Sequence, residues 1–132
     1  MGRYFCLAEL CASDTARNSG IDNTPPPGVK VKLETLIVRL LDPVREAWGK
    51  PIRVNSGFRS PVLNRAVGGA ASSQHVAGEA ADITAGSPEE NRKLFELIKD
   101  GFGFDQLIDE QDYRWLHVSY RAGCNRNQVL HL

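Results

Sequence analysis

The stretch that says most about this chain is SQHVAGEAAD, which occupies residues 73–82. It places the imidazole of His75 and the carboxylate of Asp82 seven residues apart, with mostly small side chains between them. Residues 80–84 form a short apolar run that predicts a strand. Because alternate side chains of a strand share a face, Asp82 is expected on the face opposite its apolar neighbours.

A second predicted strand, residues 115–120, carries a matching histidine. Its alternation places Trp115 and His117 on one face and the apolar side chains on the other. Two histidines and one aspartate are three protein ligands, the number that a catalytic zinc keeps when water fills its fourth position. We therefore expect one zinc ion per chain, bound by His75, Asp82 and His117.

Periodicity and cap residues predict the remaining elements. Helices are expected over residues 4–19, 30–48, 61–67 and 87–99, and further strands over residues 52–56 and 104–110. Pro43 should kink or break the second helix. Ser60 and Ser87 are expected to cap the third and fourth helices. This order predicts an α+β fold: a small, mostly antiparallel sheet with helices on one face and the metal site on the other.

The hairpin formed by the last two predicted strands supplies a candidate general base. If its turn centres on residues 112–113, Glu110 lies opposite Trp115 and diagonal to His117, roughly 7 Å away between backbones. That location suits a carboxylate beside the metal, which takes a proton from water and passes it to the leaving amine. A register slip of one residue would bring Asp109 there instead.

Two further residues are candidates for the same site. Arg59 lies in a turn at a strand end, where its fixed positive charge could stabilise an oxyanion or hold a substrate carboxylate. Trp115 shares a face with His117 and forms either a groove wall or ordinary packing. Together with a zinc ion, which lowers the pKa of bound water to about 7, these residues predict a metal-assisted hydrolase.

Length and charge narrow the class of protein. The 132 residues suggest a single domain, residues 1–132. Sixteen basic residues balance sixteen acidic ones, which argues against nucleic acid and anionic membrane partners. No apolar run suits membrane insertion, and the first residues do not resemble a signal peptide. We expect a monomer made in the cytoplasm.

The three cysteines are expected to be buried free thiols, with zinc ligation or a disulfide as the alternatives.

Residues 73–82 and the Trp-Leu-His of residues 115–117 resemble the zinc D-alanyl-D-alanine carboxypeptidase family. That family belongs to a wider group of peptidoglycan metallopeptidases, which includes D-Ala-D-Ala dipeptidases and phage L-alanyl-D-glutamate endolysins. The similarity covers nearly the whole chain, and further segments resemble a small phage and prophage branch of the group. The supporting segments are residues 5–10, 20–25, 51–60, 63–64 and 68–69.

The resemblance implies roles for individual residues. It implies His75, Asp82 and His117 as the zinc ligands. It implies that Arg59 contacts the substrate or its polarised carbonyl, and that Ser73 forms hydrogen bonds on the substrate side. The implied fold is that of the hedgehog and D-Ala-D-Ala peptidases, and the implied substrate is the peptide stem of peptidoglycan, cut near D-amino acids.

The chain departs from the family at one position. Family members carry Asp or Glu three residues before the last zinc histidine, whereas this chain has Arg114, which cannot act as a base at neutral pH. The base is therefore expected to be Glu110, with Asp112 second and Asp109 third.

Two functions follow from these residues. The first is a zinc peptidase of the D-Ala-D-Ala carboxypeptidase or L-Ala-D-Glu endopeptidase type, such as a phage or prophage endolysin. Without a signal peptide, such an enzyme would reach the cell wall through a holin, through lysis or in a phage particle. The alternative, motivated by Arg114, is an inactive zinc-stabilised domain that binds the wall or has a structural role.

Overall fold

The computed structural model describes residues 3–132 and has an α+β architecture. The helices are α1 (Leu7–Cys11), α2 (Asp14–Ser19), α3 (Pro27–Leu36), α4 (Asp42–Trp48), α5 (Pro61–Ala66) and α6 (Pro88–Gly101). The strands are β1 (Arg53–Ser56), β2 (Ala80–Thr84), β3 (Gln106–Glu110), β4 (Trp115–Ser119) and β5 (Gln128–His131). Among residues 3–132, no helix combines the length and apolar character that crossing a bilayer requires.

The five strands form one mixed sheet in the order β1-β2-β4-β3-β5. The first three pairings, β1 with β2, β2 with β4 and β4 with β3, are antiparallel. The last, between β3 and β5, is parallel. The sequence-based prediction of a mostly antiparallel sheet is therefore wrong. β5 is four residues long and has no clear alternation of polar and apolar side chains, so no local pattern marks it as a strand.

One face of the sheet packs against the helices. The buried side chains on that face are Ala81, Ile83, Leu107, Leu116 and Val118. They form one hydrophobic cluster with apolar side chains of α3, α6 and the turn between α3 and α4. Each large aliphatic side chain buried there contributes about 1.5–3 kcal/mol to stability. The alternation of β2 and β4 leaves Asp82 and His117 on the opposite face, as parity predicts.

The N-terminal helix prediction needs correction. Residues 4–19 do not form one helix, because Ala12 has an extended backbone that separates α1 from α2. Ser13 then starts α2, and its side chain accepts a hydrogen bond from the backbone N–H of Ala16 at 3.1 Å. Such a cap satisfies an N–H of the first turn and favours a new helix at that point.

Pro43 distorts the long helix that is predicted over residues 30–48. The helix begins at Pro27, and a π-helical turn, Ile37–Leu41, joins α3 to α4. In this turn the N–H of Asp42 bonds to the carbonyl of Ile37, five residues earlier. Because Pro43 has no N–H to donate, the usual ladder is interrupted, and the wider turn accommodates the interruption.

Other local predictions are confirmed. β2 has the predicted bounds, and strands occupy the segments around β1, β3 and β4 to within two residues. Ser60 accepts a hydrogen bond from the N–H of Leu63 at the start of α5, and Ser87 accepts one from Glu90 at the start of α6. These serines fix where two helices begin, and therefore where the loops beside them lie.

The β3–β4 hairpin has the predicted register, with Glu110 opposite Trp115. Its turn is unusual because residues 111–113 all have positive φ without being glycine. Such backbone is costly and needs support. Asn91, fully buried on α6, donates hydrogen bonds to the carbonyls of residues 113–114 at 2.9 and 3.1 Å. This contact helps to hold the turn, and with it the register that places Glu110.

The three cysteines are free, as predicted, but they are not buried. Cys6 and Cys124 are exposed and Cys11 is half-buried. None of them belongs to the cluster of metal-binding groups found among residues 3–132.

Candidate metal centre and its cleft

Three potential metal ligands converge on the open face of the sheet. The Oδ1 atom of Asp82 lies 3.3 Å from His75 Nε2 and 3.1 Å from His117 Nδ1. The ligand atoms all lie within 4.8 Å of one another. Asp82 and His117 are close because the β2–β4 pairing places them directly opposite each other. Two imidazole nitrogens and a carboxylate oxygen form a donor set that fits a catalytic zinc, with a fourth position open for water.

The backbone fixes the orientation of His75. This residue is 4% exposed, and its Nδ1 lies 2.7 Å from the carbonyl oxygen of Gly57. A carbonyl only accepts, so Nδ1 donates its hydrogen to it, and Nε2 is the nitrogen that faces Asp82 and would bind a metal. Gly57 can occupy this position because it has no side chain: a Cβ there would lie 2.2 Å from the carbonyl oxygen of Leu10.

Asp82 is ionised in this environment. Burial opposes the charged form of its carboxyl, but hydrogen bonds with His117 and His75 outweigh burial and hold the pKa of Asp82 well below its ordinary value. Asp82 is therefore a carboxylate at neutral pH, the form in which it can coordinate a cation.

The ligands lie in a cleft of about 420 Å³. The cleft is also lined by four other residues that the sequence nominated for the site, Arg59, Ser73, Glu110 and Trp115. They come from four parts of the chain: the turn after β1, the loop before β2, the end of β3 and the start of β4. The structure thus brings the nominated side chains together around the metal ligands.

Glu110 is the acid that the hairpin directs into this cleft. Its Oε2 accepts a hydrogen bond from the indole N–H of Trp115 at 3.2 Å, which leaves Oε1 free to accept a proton. Trp115 therefore orients the carboxylate as well as forming a wall. The cleft is not lined by Asp109 or Asp112. Asp109 is buried and bonds to His131, whereas Asp112 is exposed in the turn.

Arg114 lies outside the site. It is exposed at the end of the hairpin turn and does not line the cleft. Glu110, on the neighbouring strand, is an acid that does line the cleft.

Arg59 provides a positive charge in the cleft. Within residues 3–132 its guanidinium forms no ion pair, and its Nη1 donates to the neutral Oδ1 of Asn64 at 3.1 Å. Its backbone N–H donates to the carbonyl of His75 at 3.2 Å, which links it to the metal-binding loop. An amide partner orients the cation without cancelling its charge, so the charge stays available to an anion in the cleft.

Sequence reasoning missed the residues that hold Arg59. Asn23 donates to the carbonyl of Phe58 at 3.0 Å and accepts from the N–H of Ser60 at 2.7 Å, and so clamps the backbone on both sides. Gly69 allows Asn64 and Arg59 to meet: a Cβ there would lie 2.1 Å from Asn64 Oδ1. No periodic pattern distinguishes such residues from ordinary loop residues.

The metal-binding loop is fastened at two further points. Ser73 Oγ accepts from the N–H of His75 at 3.1 Å, and its hydroxyl hydrogen remains available to donate. Gln74 donates from Nε2 to the fully buried carboxylate of Asp105 at 2.7 Å. Asp105 also accepts two hydrogen bonds at 2.8 Å from the guanidinium of Arg126. The segment before β5 is thereby connected to the loop that carries His75.

Comparison with known proteins points to one family. A sequence profile of the family described as Peptidase M15 matches residues 3–119. A zinc D-Ala-D-Ala carboxypeptidase of Streptomyces albus G is 56% identical to this chain over 48 residues. The match covers 36% of this chain and 19% of that relative, so the matched region is about a fifth of the relative's length.

Proposed function

Because the chain belongs to the Peptidase M15 family of peptidoglycan metallopeptidases, we propose that it is a zinc-dependent peptidase acting on the peptide stems of bacterial peptidoglycan. The observation that carries this proposal is the shared cleft. The carboxylate of Glu110, the guanidinium of Arg59 and the cluster of His75, Asp82 and His117 all border the same space.

His75, Asp82 and His117 would bind the zinc ion. When bound, zinc supplies Lewis acidity, which polarises a carbonyl and makes water a nucleophile near neutral pH. The protein's contribution is to keep the ligands in the form that binds. The hydrogen bond from His75 Nδ1 to Gly57 selects the tautomer, and the two imidazoles keep Asp82 ionised.

Glu110 acts as the general base and then as the general acid. Its free Oε1 takes a proton from the attacking water and later gives it to the nitrogen of the leaving amine. The indole N–H of Trp115 holds Oε2 so that Oε1 remains the proton acceptor. This assignment replaces the missing acid at position 114 without requiring a different mechanism.

Arg59 and Ser73 position the substrate. The guanidinium of Arg59 stabilises negative charge that develops on the carbonyl oxygen, or binds a terminal carboxylate of the substrate. Ser73 donates its hydroxyl hydrogen to the bound peptide, while its oxygen supports the N–H of His75. Trp115 provides an apolar wall beside the scissile bond.

The bond that is cut and the route to the wall are finer parts of the proposal. The named relative supports a D-Ala-D-Ala carboxypeptidase, and the resemblance also accommodates an L-Ala-D-Glu endopeptidase. We further propose that the protein acts after release from the cytoplasm by a holin, by lysis or with a phage particle, as an endolysin does. Mass spectrometry of peptidoglycan fragments, with and without a zinc chelator, identifies the cleaved bond.

The first prediction concerns Glu110→Gln. The amide keeps the shape of the side chain but cannot accept a proton, so turnover should fall roughly a hundredfold to ten-thousandfold. Zinc content, measured by elemental analysis, should not change. The matched control is Asp112→Asn, which neutralises an exposed acid two residues away and should leave turnover intact. Full activity in Glu110→Gln would show that the base lies elsewhere.

The exposed Arg114 leaves a second candidate function, a zinc-stabilised wall-binding domain without peptidase activity. Purified peptidoglycan separates the two candidates. A peptidase releases new amino groups in a chelator-sensitive reaction, whereas a binding domain sediments with the wall and releases none.

A further inference from the structure

A second groove lies on the far side of Arg59. It has a volume of about 410 Å³, similar to that of the metal cleft, and Arg59 lines both. Its other walls come from residues 12–15 around the start of α2, from the end of β1 and from α5. None of the three metal ligands borders this groove, so the site described above does not account for it.

The groove lies beside the end of the free edge strand of the sheet. Among residues 3–132, β1 is an edge strand that pairs with β2 alone. Asn55 and Ser56, the last two residues of β1, line the groove. The β1–β2 register shifts between Val54 and Ser56, so Asn55 is an extra residue at this edge and departs from the regular alternation of the strand. Within residues 3–132, the backbone groups of residues 53–56 form no hydrogen bond outside the β1–β2 pairing.

The lining offers hydrogen bonds but little net charge. The side chains of Thr15, Asn55 and Ser56 form no hydrogen bond with other residues of the described chain, residues 3–132. The acid at the rim, Asp14, is paired with Arg17. The apolar part of the lining consists of Ala12, Phe58, Leu63 and Val67. Unpaired amide and hydroxyl groups beside small apolar surfaces suit a peptide backbone that carries small side chains such as methyl groups.

We propose that this groove binds an extended part of the substrate peptide remote from the scissile bond, as an additional strand along the edge of β1. Edge strands bind extended peptides in this way, with backbone hydrogen bonds supplying affinity. Arg59 stands at the junction and contacts the peptide as it passes into the metal cleft. The inference rests on the proposed peptidase function and extends it: the enzyme selects peptides long enough to occupy both spaces.

The test blocks the groove without altering the metal cleft. Asn55→Trp fills it from β1, and Thr15→Trp fills it from α2, so the result does not depend on one variant folding. Arg53→Trp is the matched control, because Arg53 is exposed on the same strand and does not line the groove. Zinc content and thermal unfolding establish that each variant is intact.

Each variant is assayed on a full stem pentapeptide and on the same peptide shortened to the residues around the cleaved bond. Loss of two or three backbone hydrogen bonds should lower kcat/KM on the pentapeptide about tenfold or more. The short peptide should be cleaved at the wild-type rate, and Arg53→Trp should behave as wild type on both. The proposal would be overturned if the groove variants lost kcat/KM equally on both peptides, or lost it on neither.

A binding experiment distinguishes failure of this proposal from failure of the proposed function. Amide chemical shifts of the zinc-loaded protein are followed by NMR as the stem pentapeptide is added. Shifts at residues 13–15 and 55–56 support the groove even if the peptide is not cleaved. Shifts confined to the metal cleft overturn it. A concentration-dependent dimer that Asn55→Trp abolishes would assign the β1 edge to a second copy of the chain and would equally overturn the proposal.

Discussion

His75 has one ring nitrogen bonded to the backbone and the other directed at the metal-binding cluster. The partner of the first is the carbonyl of Gly57, at 2.7 Å. Gly57 can hold its carbonyl in this position because, having no side chain, it can lie close to the backbone of Leu10. One glycine thus determines the tautomer of a ligand that is 18 residues away in sequence.

Gly57→Ala tests this dependence. The added methyl group would meet the backbone of Leu10, so residue 57 must move and carry its carbonyl away from His75. Zinc affinity should fall roughly tenfold to a hundredfold, because His75 loses the hydrogen-bond partner that orients it. The free energy of unfolding should fall by about 1–3 kcal/mol, because the added methyl group overpacks the site. Titration with a chromophoric chelator and denaturant unfolding measure the two effects. Gly103→Ala, where the space is open, is the control, and equal zinc affinities in both variants would refute the argument.

The sequence identifies some functional residues better than others. The positions of His75, Asp82, His117 and Glu110 can be predicted because strand parity and hairpin register are local properties. Asn23 and Asn64 cannot, because their importance comes from contacts with a backbone and a guanidinium that the fold brings to them.

The elements differ in how they are held in place. β3 carries Glu110 and has β4 on one side and β5 on the other. The segment before β5 is fastened at Asp105, where Arg126 and Gln74 hold the carboxyl's pKa at about 2, below its ordinary value of 3.8. Asp105 is fully buried, so its charge depends on these partners.

The lowered pKa of Asp105 predicts that the segment around β5 is sensitive to acid. Because the folded-state pKa is lowered, Asp105 contributes stability that is fully present above about pH 4 and is lost as the pH falls towards 2. The contribution is about 2 kcal/mol, since one pKa unit corresponds to about 1.4 kcal/mol. Hydrogen exchange of the β5 amides between pH 4 and pH 2 should show this segment loosening.

Asp105→Asn should abolish most of that pH dependence while weakening β5 at all pH values, because an amide cannot accept both guanidinium hydrogen bonds as strongly. Asp100→Asn is the control, since Asp100 is exposed at the end of α6. An unchanged pH profile in Asp105→Asn would mean that other acids govern the transition.

At the scale of the whole molecule, the metal site joins distant parts of the chain. His75 precedes β2, Asp82 lies on β2 and His117 lies on β4, so a bound ion would link the loop to two neighbouring strands. A ligand that binds only the folded state stabilises it in proportion to the logarithm of its concentration.

Zinc should therefore raise the unfolding temperature of chelator-treated protein. The gain is about 4 kcal/mol when free zinc exceeds its dissociation constant by roughly a thousandfold. Calorimetry with and without zinc measures it. His117→Ala should lose the zinc-dependent increase, whereas His131→Ala, outside the cluster, should retain it. An equal increase in both variants would place the zinc elsewhere.

Local sequence patterns were enough to predict the α+β class, the bounds of β2, the hairpin register and the convergence of His75, Asp82 and His117. These properties depend on short-range alternation, cap residues and pairing across one turn. The parallel pairing of β5, the clamps around Arg59 and the groove beside β1 are visible in the folded chain alone. Each of these arises where segments far apart in sequence meet, and such contacts leave no periodic pattern in the chain.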